Sequence, residues 1–368
     1  MKDILEWLVS AEDPRQLAKI KLLMKDIIAI VFFAEIANAS EWIEIYLFAV
    51  SNEQTLRKYL TLPNGIPSHD TIQRVFSMIS SEYLQEFRKR WNDIMSSGMG
   101  DKIRKILALD GKTQRGNGSA GQKANHIVSA VDDSGFCVGE ELVEEKSNEI
   151  TAIPELLKSL NIKGHIVTTD AMGCQTEIVK LIRKQKADYV LGLKGNQGTL
   201  YEDVQQYYDE PSLLANCAYH KVVEKAHSAV EIREYWQTSD IDWLEQKKAW
   251  AGLSSIVMTK NTIIKGNDTT TEVRYFISSL PLNVEEAAHA IRSHWMVESY
   301  HWHLDVTFRE DANHTLDKAA AYNLNIMKKM AINTLRLLDV GIARISMKNK
   351  RYMISMNFGH YVDTLMAL

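Results

Sequence analysis

The segment from residue 103 to residue 193 limits most strongly the folds available to this chain. It contains short apolar runs rich in β-branched residues, which are typical of buried strands. These runs cover residues 103–109, 127–131, 136–142, 166–169 and 189–193. Apolar residues at helical spacing separate the third run from the fourth and the fourth from the fifth. The predicted order is β-β-β-α-β-α-β, which indicates an α/β fold.

Three acidic residues stand in distinctive positions along this pattern. Asp110 and Asp170 each follow one of the apolar runs, and Glu298 lies in a stretch with helical periodicity. Carboxylate oxygens from strands and a helix suit hard divalent cations, because Mg²⁺ prefers oxygen ligands and keeps waters for a substrate's phosphates. Two such ions activate an attacking oxygen and stabilise a leaving one in phosphodiester chemistry. The acids therefore predict an enzyme that processes DNA.

The strand order also predicts the organisation of the chain. One acid on the first strand and another on the fourth is the arrangement of ribonuclease H-like folds, so by analogy we predict a ribonuclease H-like core. That catalytic domain is predicted over residues 99–368, with a strand-rich insertion over about 205–283. Helices are predicted again from Val284 through Leu304 and from Ala319 to about Ile345.

Residues 1–98 are predicted to form a helical N-terminal domain, because apolar residues follow helical spacing from about 15 to 95. The segment Leu62–Ser68 contains Pro, Asn and Gly and predicts a turn, after which Ser68 is a candidate N-cap. The helix that follows carries three polar side chains suited to recognising DNA ends: His69, Gln73 and Arg74. A packing domain with a solvated polar face is an equally open interpretation.

Composition decides little about function. The formal net charge of the 368 residues is −4, which argues weakly against DNA binding. Cys137, Cys174 and Cys217 are far apart, which excludes a zinc ribbon and a small disulfide scaffold and suits a reducing compartment. Cys174, close to Asp170, is expected to be a packed residue rather than a nucleophile. The most apolar stretch, 27–34, is shorter than the roughly 20 residues that a bilayer requires, so a soluble, cytoplasmic protein is expected.

Several motifs in a constant order resemble the H-repeat-associated family of bacterial insertion-sequence transposases, a branch of the DDE transposases. The motifs that carry the resemblance are Leu62-Pro-Asn-Gly-Ile-Pro-Ser-His-Asp-Thr71, Arg74-Val-Phe76, Asp110-Gly-Lys112, Asp170-Ala-Met-Gly-Cys-Gln175, Leu193-Lys-Gly-Asn-Gln197, His301-Trp302, Leu304-Asp-Val306 and Phe308. The resemblance implies that Asp110, Asp170 and Glu298 are the catalytic acids. It also implies metal-dependent DNA cleavage and strand transfer at transposon ends.

The resemblance further implies a cofactor and partners. The three acids would bind Mg²⁺, for which Mn²⁺ can substitute, and the partners would be transposon-end DNA and target DNA. A homodimer or larger synaptic assembly at the bacterial nucleoid is expected, because two ends must be joined. The chain departs from the family at His227-Ser-Ala-Val-Glu231, where His-Gly-Arg, an apolar residue and Glu is frequent, and at Ser299, where Asn is usual.

Residues that flank the acids are candidates for DNA contact. Lys112, Arg115 and Lys194 could hold phosphates, and His301 could contact a phosphate or support an acid, although surface lysines need no function. The spacing of His294, Glu298 and His301 also permits a zinc site, which is the weaker interpretation because a third nitrogen or sulfur ligand is not evident. Two tryptophans near Glu298, Trp295 and Trp302, are expected in the core rather than as base-stacking platforms.

A C-terminal basic segment completes the candidates, with Lys328, Lys329, Arg336, Arg344 and 348–351. It is predicted either to follow the DNA backbone or to be a solvated helix. Two alternative functions stay open at this point. A host nuclease with a ribonuclease H-like core would share the acids, and a decayed or repurposed copy would only bind DNA.

Overall fold

A computed structural model describes residue 13 and residues 22–96, 106–144, 147–226 and 229–367. The predicted helical segment 15–21, the predicted strand start at 103–105 and His227 lie outside the described residues. Within them, every helix is too short or too polar to cross a membrane.

The N-terminal part of the chain is helical, as predicted. Its helices are α1 (Met24–Ile36), α2 (Trp42–Ser51), α3 (Glu53–Leu56), α4 (His69–Phe76) and α5 (Ser81–Ser96). The predicted turn lies before α4, where Gly65 has φ +80°. Ser68 is the N-cap of α4, since its Oγ accepts a hydrogen bond from the backbone N–H of Thr71.

The segment that follows has the predicted β-β-β-α-β-α-β order. Its elements are β1 (Ile106–Thr113), β2 (His126–Asp132), β3 (Cys137–Leu142), α6 (Glu149–Ser159), β4 (Ile166–Thr169), α7 (Thr176–Lys184) and β5 (Asp188–Leu193). Asn148 is the N-cap of α6. The side chain of Asp132 closes the turn between β2 and β3 by accepting the backbone N–H groups of Ser134 and Phe136.

The predicted insertion is rich in strands, and the chain ends in helices. The remaining elements are α8 (Gly198–Asp209), α9 (Pro211–Leu214), β6 (Ala218–Ala226), β7 (Ala229–Thr238), β8 (Ser255–Lys265), β9 (Asp268–Ser278), α10 (Val284–Ser293), α11 (Trp295–Trp302), a π-helical turn (His303–Thr307), a 3₁₀ turn (Glu310–Ala312), α12 (Lys318–Leu337), α13 (Met347–Met356) and α14 (Phe358–Ala367).

The described strands form one mixed sheet in the order β3-β2-β1-β4-β5-β9-β8-β7-β6. Strand β1 is antiparallel to β2 and parallel to β4, and β4 is parallel to β5. The insertion strands form an antiparallel meander, and β9 pairs with β5 with Val190 opposite Ser278. The insertion therefore extends the central sheet at its β5 edge.

The N-terminal helices share a core with the C-terminal helices. Apolar side chains of α1, α4 and α5 pack with those of α11 to α14 and with Ala108 and Ile127 of the sheet. The other face of β1, with Leu107 and Leu109, packs under α6 and α7. The two faces of β1 therefore look toward different groups of helices.

The predicted helix from Ala319 to Ile345 is wrong at its end. Helix α12 stops at Leu337, and the chain that follows contains Gly341 at φ +75° and Arg344 at φ +57°, which a helix does not accommodate. Apolar residues continue at helical spacing beyond Leu337, which explains the error.

Part of the C-terminal basic segment is not the solvated or DNA-facing surface that was predicted. Lys328, Lys329 and Arg351 are 2%, 1% and 0% exposed. The ammonium of Lys329 lies 3.5 Å from the buried Glu140 carboxylate. Arg351 lies 3.6 Å from Glu35 and covers the ring of Phe308. These cations are buried because buried carboxylates balance them, whereas Arg344 and Lys348 are exposed.

Candidate active site

Sheet register brings the two predicted aspartates side by side. The parallel pairing of β1 with β4 ends at the pair Leu109 and Thr169, so Asp110 and Asp170 are the next residues of two neighbouring strands. Asp110 is not at the end of its strand as predicted, since β1 continues to Thr113 by pairing with β2. Strand β4 does end at Thr169, directly before Asp170. Both residues continue on the α11 side of the sheet, because residues two apart on a strand share a face.

Backbone and side-chain hydrogen bonds hold the loop that carries Asp170. Its Oδ1 accepts the backbone N–H of Met172 at 2.9 Å. Two amides from the turn after β5 reach the same loop: Asn196 donates to the carbonyl of Ala171 at 2.7 Å, and Gln197 donates to that of Cys174 at 2.8 Å. The predicted packed role of Cys174 is confirmed, since it is fully buried. The side chains of Asn196 and Gln197 therefore hold the Asp170 loop in place.

Helix α11 brings the third acid to the same side. It packs against β1 and β2, and Glu298 lies in its first turn. At its start, His294 Nδ1 lies 3.1 Å from Thr168 Oγ1 on β4. One turn after Glu298, the buried His301 places its Nδ1 3.3 Å from Asp110 Oδ2. His301 thus supports an acid, which was one of its two predicted roles.

Electrostatic interactions link Asp110 to each of the other two carboxylates. Burial raises the pKa of Asp170, and the negative charges of Asp110 and Glu149 raise it further, against the hydrogen bonds from Met172 and Gly173. Burial also raises the pKa of Glu298, and Asp110 adds to this while Arg274 and His301 act against it. Asp110 is thus the acid whose charge acts on both others. A cation bound between two such carboxylates would offset their mutual repulsion.

The three acids do not meet closely enough to bind one metal ion together. Among the residues that the structure describes, no group of three His, Cys, Asp or Glu side chains is gathered tightly enough to ligate one metal ion. The donor chemistry nevertheless fits a hard divalent ion, since carboxylate oxygens are the ligands such ions prefer. The interactions that do occur are pairwise, between Asp110 and Asp170 and between Asp110 and Glu298.

Lys112 lies on the same face of β1 as Asp110, but carboxylates already surround its charge. Its Nζ lies 2.7 Å from Asp305, 2.9 Å from Glu310 and 3.2 Å from Asp311, and its side chain is 10% exposed. Burial lowers the pKa of this ammonium, but Glu310 and Asp305 outweigh burial and raise it. A contact from Lys112 to DNA stays a prediction that requires these pairs to open.

The other predicted phosphate contacts are accessible. The side chain of Arg115 is 83% exposed, and its Nε lies 3.9 Å from Asp311. Lys194 is exposed directly after β5. Their roles at DNA stay predictions. In the N-terminal part, Arg74 is exposed on α4 and His69 and Gln73 are partly exposed, and their role in end recognition is a prediction too.

The expectation that the two tryptophans lie in the core is wrong. Trp295 is 40% exposed and Trp302 is 55% exposed. The guanidinium of Arg274, from β9, lies 5.5 Å from the centre of the Trp295 ring. Helix α11 turns Val297, Tyr300 and His301 inward, so these tryptophans face outward.

Two polar residues near the acids were missed from the sequence. His126 begins β2 and Glu149 begins α6, and His126 Nε2 lies 2.7 Å from Glu149 Oε1. An acid in the first turn of a helix is ordinary, because it interacts favourably with the helix dipole. The sequence around Glu149 therefore does not distinguish it from other acidic residues in the first turn of a helix.

The chain is an α/β protein with an acidic site: one aspartate lies on a strand of the mixed sheet, a second directly follows the neighbouring strand, and a glutamate lies on the adjoining helix. Comparison with known families identifies the family. The profile described as "Transposase DDE domain" matches residues 101–334, and that described as "DDE_Tnp_1-associated" matches residues 5–92. The chain belongs to the H-repeat-associated DDE transposases.

Individual relatives agree with this family over nearly the whole chain. "Putative transposase YncI" of Escherichia coli O157:H7 is 36% identical over 377 residues, covering 100% of this chain and 95% of the relative. "H repeat-associated putative transposase YhhI" of Escherichia coli K12 is 36% identical over 371 residues, 97% of each chain. "Inactive transposase YbfQ" of the same strain is 35% identical over 77 residues, covering 21% of this chain and 92% of the relative.

Proposed function

We propose that this chain is an active DDE transposase that cleaves DNA at the ends of an insertion sequence and transfers the cut strand to a target. The observation that carries the proposal is the register of β1 and β4, which makes Asp110 and Asp170 neighbours on the face covered by the helix of Glu298. The raised pKa values of Asp170 and Glu298 support a shared site.

Mg²⁺, or Mn²⁺ in its place, is the proposed cofactor. Asp110 and Asp170 would hold one ion, and Asp110 and Glu298 the other, in keeping with the pairwise interactions of the acids. Such ions supply activation of the attacking oxygen and stabilisation of the departing 3′ oxygen. The protein's own contribution is to hold the carboxylates: the Asp170 loop through Asn196 and Gln197, and Asp110 through His301.

A ribonuclease H-like core is the fold that we propose for the catalytic part. The support is the order β3-β2-β1-β4-β5, with β2 antiparallel to its neighbours and β1, β4 and β5 parallel. The domain division at residues 98 and 99 is part of this proposal. The N-terminal helices would recognise the DNA ends, and Arg115 and Lys194 would contact phosphates.

The partners in this proposal are transposon-end DNA, target DNA and at least a second copy of the chain, acting in the bacterial cytoplasm at the nucleoid. A dimer or larger assembly is proposed because two ends must be processed together. Light scattering with end DNA should therefore give a mass of at least two subunits in addition to the bound DNA.

The test is cleavage of labelled linear DNA that carries the element's terminal sequences, with Mg²⁺, Mn²⁺ or EDTA. Wild type is expected to cut at the ends in either metal and to be inactive in EDTA. Asp170→Asn keeps an oxygen for the Met172 amide but loses the charge, and its cleavage rate should fall by at least about 100-fold. Asp209→Asn, at an exposed position at the end of α8, is the matched control.

Each negative result has a distinct meaning. Cuts at many unrelated sequences would favour a general nuclease. Binding of end DNA without cleavage in any metal would favour a repurposed or inactive copy. Equal activity of wild type and Asp170→Asn would remove the acid from the mechanism.

A further inference from the structure

Strand β1 has a gap in its side-chain surface directly after Asp110. Residues of β1 alternate between the two faces of the sheet, so Gly111 continues the face of Leu109, under α6, while Asp110 continues the opposite face. A Cβ atom at position 111 would overlap Glu149 Oε1 and His126 Nε2. Glu149 therefore touches β1 between Asp110 and Lys112 because Gly111 has no side chain.

His126 orients the Glu149 carboxylate in this gap. Its Nε2 lies 2.7 Å from Glu149 Oε1, and its Nδ1 lies 2.8 Å from Thr113 Oγ1. A neutral imidazole that donates from Nε2 to the carboxylate and accepts the Thr113 hydroxyl at Nδ1 satisfies both contacts. The pair also lies across adjacent strands, since Thr113 is opposite His126 in the β1–β2 ladder.

The pair lies beside the Asp170 loop and lines an open cavity. The charge of Glu149 contributes to the raised pKa of Asp170, although burial is the larger cause. His126 and Glu149 line a cavity of about 590 Å³, and Met172 of the Asp170 loop lines the same cavity. Glu149 thus lies near Asp170, on the opposite face of the sheet to Glu298.

We infer that Glu149 is a fourth carboxylate of this site and accepts the proton of the water that makes the first cut, with His126 as its positioning residue. This inference rests on the proposed function. The water gives one proton to Glu149, and its oxygen forms a bond to the DNA phosphorus. The bond from phosphorus to the 3′ oxygen breaks, the 3′ oxygen takes a proton from solvent, and Glu149 releases its proton to solvent.

The inference predicts that Glu149 contributes differently to the two reactions of a transposase, DNA hydrolysis and strand transfer. Hydrolysis uses a water molecule, which a protein base can position and deprotonate, whereas strand transfer uses a 3′-hydroxyl that the bound DNA itself carries. A positioned general base contributes about 10²- to 10⁴-fold to a rate. Loss of Glu149 should therefore slow the first cut much more than transfer from pre-cut ends.

The experiment measures both reactions of the full chain, with intact ends for cleavage and with pre-cut 3′-hydroxyl ends for transfer. Glu149→Gln keeps the shape of the side chain, and its cleavage is expected to fall about 100-fold while transfer stays within about 3-fold. Gly111→Ala moves the Glu149 and His126 side-chain ends without changing a charge, and it should show the same selective loss. Glu155→Gln, an exposed position on the same helix, is the matched control.

The outcomes distinguish this inference from the proposed function. If wild type neither cuts nor transfers, the proposed function fails and the inference falls with it. If wild type is active and Glu149→Gln behaves like Glu155→Gln, only the inference is overturned. Equal loss of both reactions in Glu149→Gln, with a lower melting temperature, would show that Glu149 merely ties α6 to the sheet and would overturn the inference too.

Discussion

Replacing Glu140 by Gln should strongly destabilise the fold, because this carboxylate holds three elements together. Glu140 lies on β3 with a fully buried side chain. Arg88 of α5 places its Nε 2.9 Å away, and Lys329 of α12 places its Nζ 3.5 Å away. Glu140→Gln leaves two buried cations without their counter-charge.

The size of the effect follows from burial. Removing one member of a buried ion pair costs about 3–5 kcal/mol, because the remaining charge stays desolvated. The free energy of unfolding of a typical protein is about 5–15 kcal/mol, so Glu140→Gln should remove a large share of it. Urea unfolding at pH 7, followed by both far-ultraviolet circular dichroism and tryptophan fluorescence, measures the loss and tests whether unfolding is two-state.

The pH dependence gives this prediction a second test. Burial alone raises the pKa of Glu140, but Arg88 and Lys329 outweigh burial and lower it below its ordinary 4.5. A carboxylate with a lowered folded-state pKa stabilises the fold above its unfolded-state pKa and loses that effect as the pH falls through the folded-state value. The difference in stability between wild type and Glu140→Gln should therefore shrink below about pH 4.5.

The neighbouring Glu141 provides the control. It is only partly buried, and its pKa is raised, first by burial and then by the charges of Glu155, Glu140 and Glu82. Glu141→Gln should therefore be neutral or slightly stabilising at pH 7. A Glu140→Gln protein within about 1 kcal/mol of wild type would refute the reasoning, because it would mean that the two cations need no counter-charge.

Two further changes test other parts of the fold. Burial raises the pKa of Glu35 to about 7, so the folded chain binds a proton that the unfolded chain lacks, and stability should fall by up to about 3 kcal/mol as the pH rises from 4.5 to 7. Glu35→Gln should flatten that slope in urea titrations, and an unchanged slope would contradict the assignment. Gly135 has φ +80°, and an added Cβ would lie 2.5 Å from Arg336 Cζ. Gly135→Ala should therefore lower the unfolding free energy by about 1–3 kcal/mol, and equal urea midpoints would argue against strain at this turn.

Local patterns in the sequence predicted the parts of the fold that depend on near neighbours. The strand 166–169 was predicted with the bounds that β4 has, and Ser68 was a candidate cap that does cap a helix. Strand runs, turns and caps depend on side chains a few residues apart, which a single sequence displays.

Such local patterns could not predict ion pairs between residues that are far apart in the sequence. Lys328 and Lys329 stand between apolar residues, Met327 and Met330, but nothing nearby in sequence indicates which carboxylates would balance their charges. The carboxylate partner of Lys329 is Glu140, which lies just over half the chain away. Burial of a cation depends on whether folding delivers a carboxylate to it, and that information lies in the tertiary structure alone.

In the acidic site, too, the sequence predicted only the residues that a motif surrounds. Asp110, Asp170 and Glu298 were predicted because motifs surround each of them, and the structure places Asp170 directly after β4, beside Asp110 of the neighbouring strand β1. Glu149 has no motif, and its approach to β1 depends on the absence of one Cβ atom at Gly111. Two adjacent residues of β1 thus act on opposite faces of the sheet. The Asp110 side chain lies on one face, and the absence of a side chain at Gly111 leaves room for the Glu149 carboxylate on the other. A glycine after a strand aspartate therefore indicates that the second face of the sheet should be searched for a further acid.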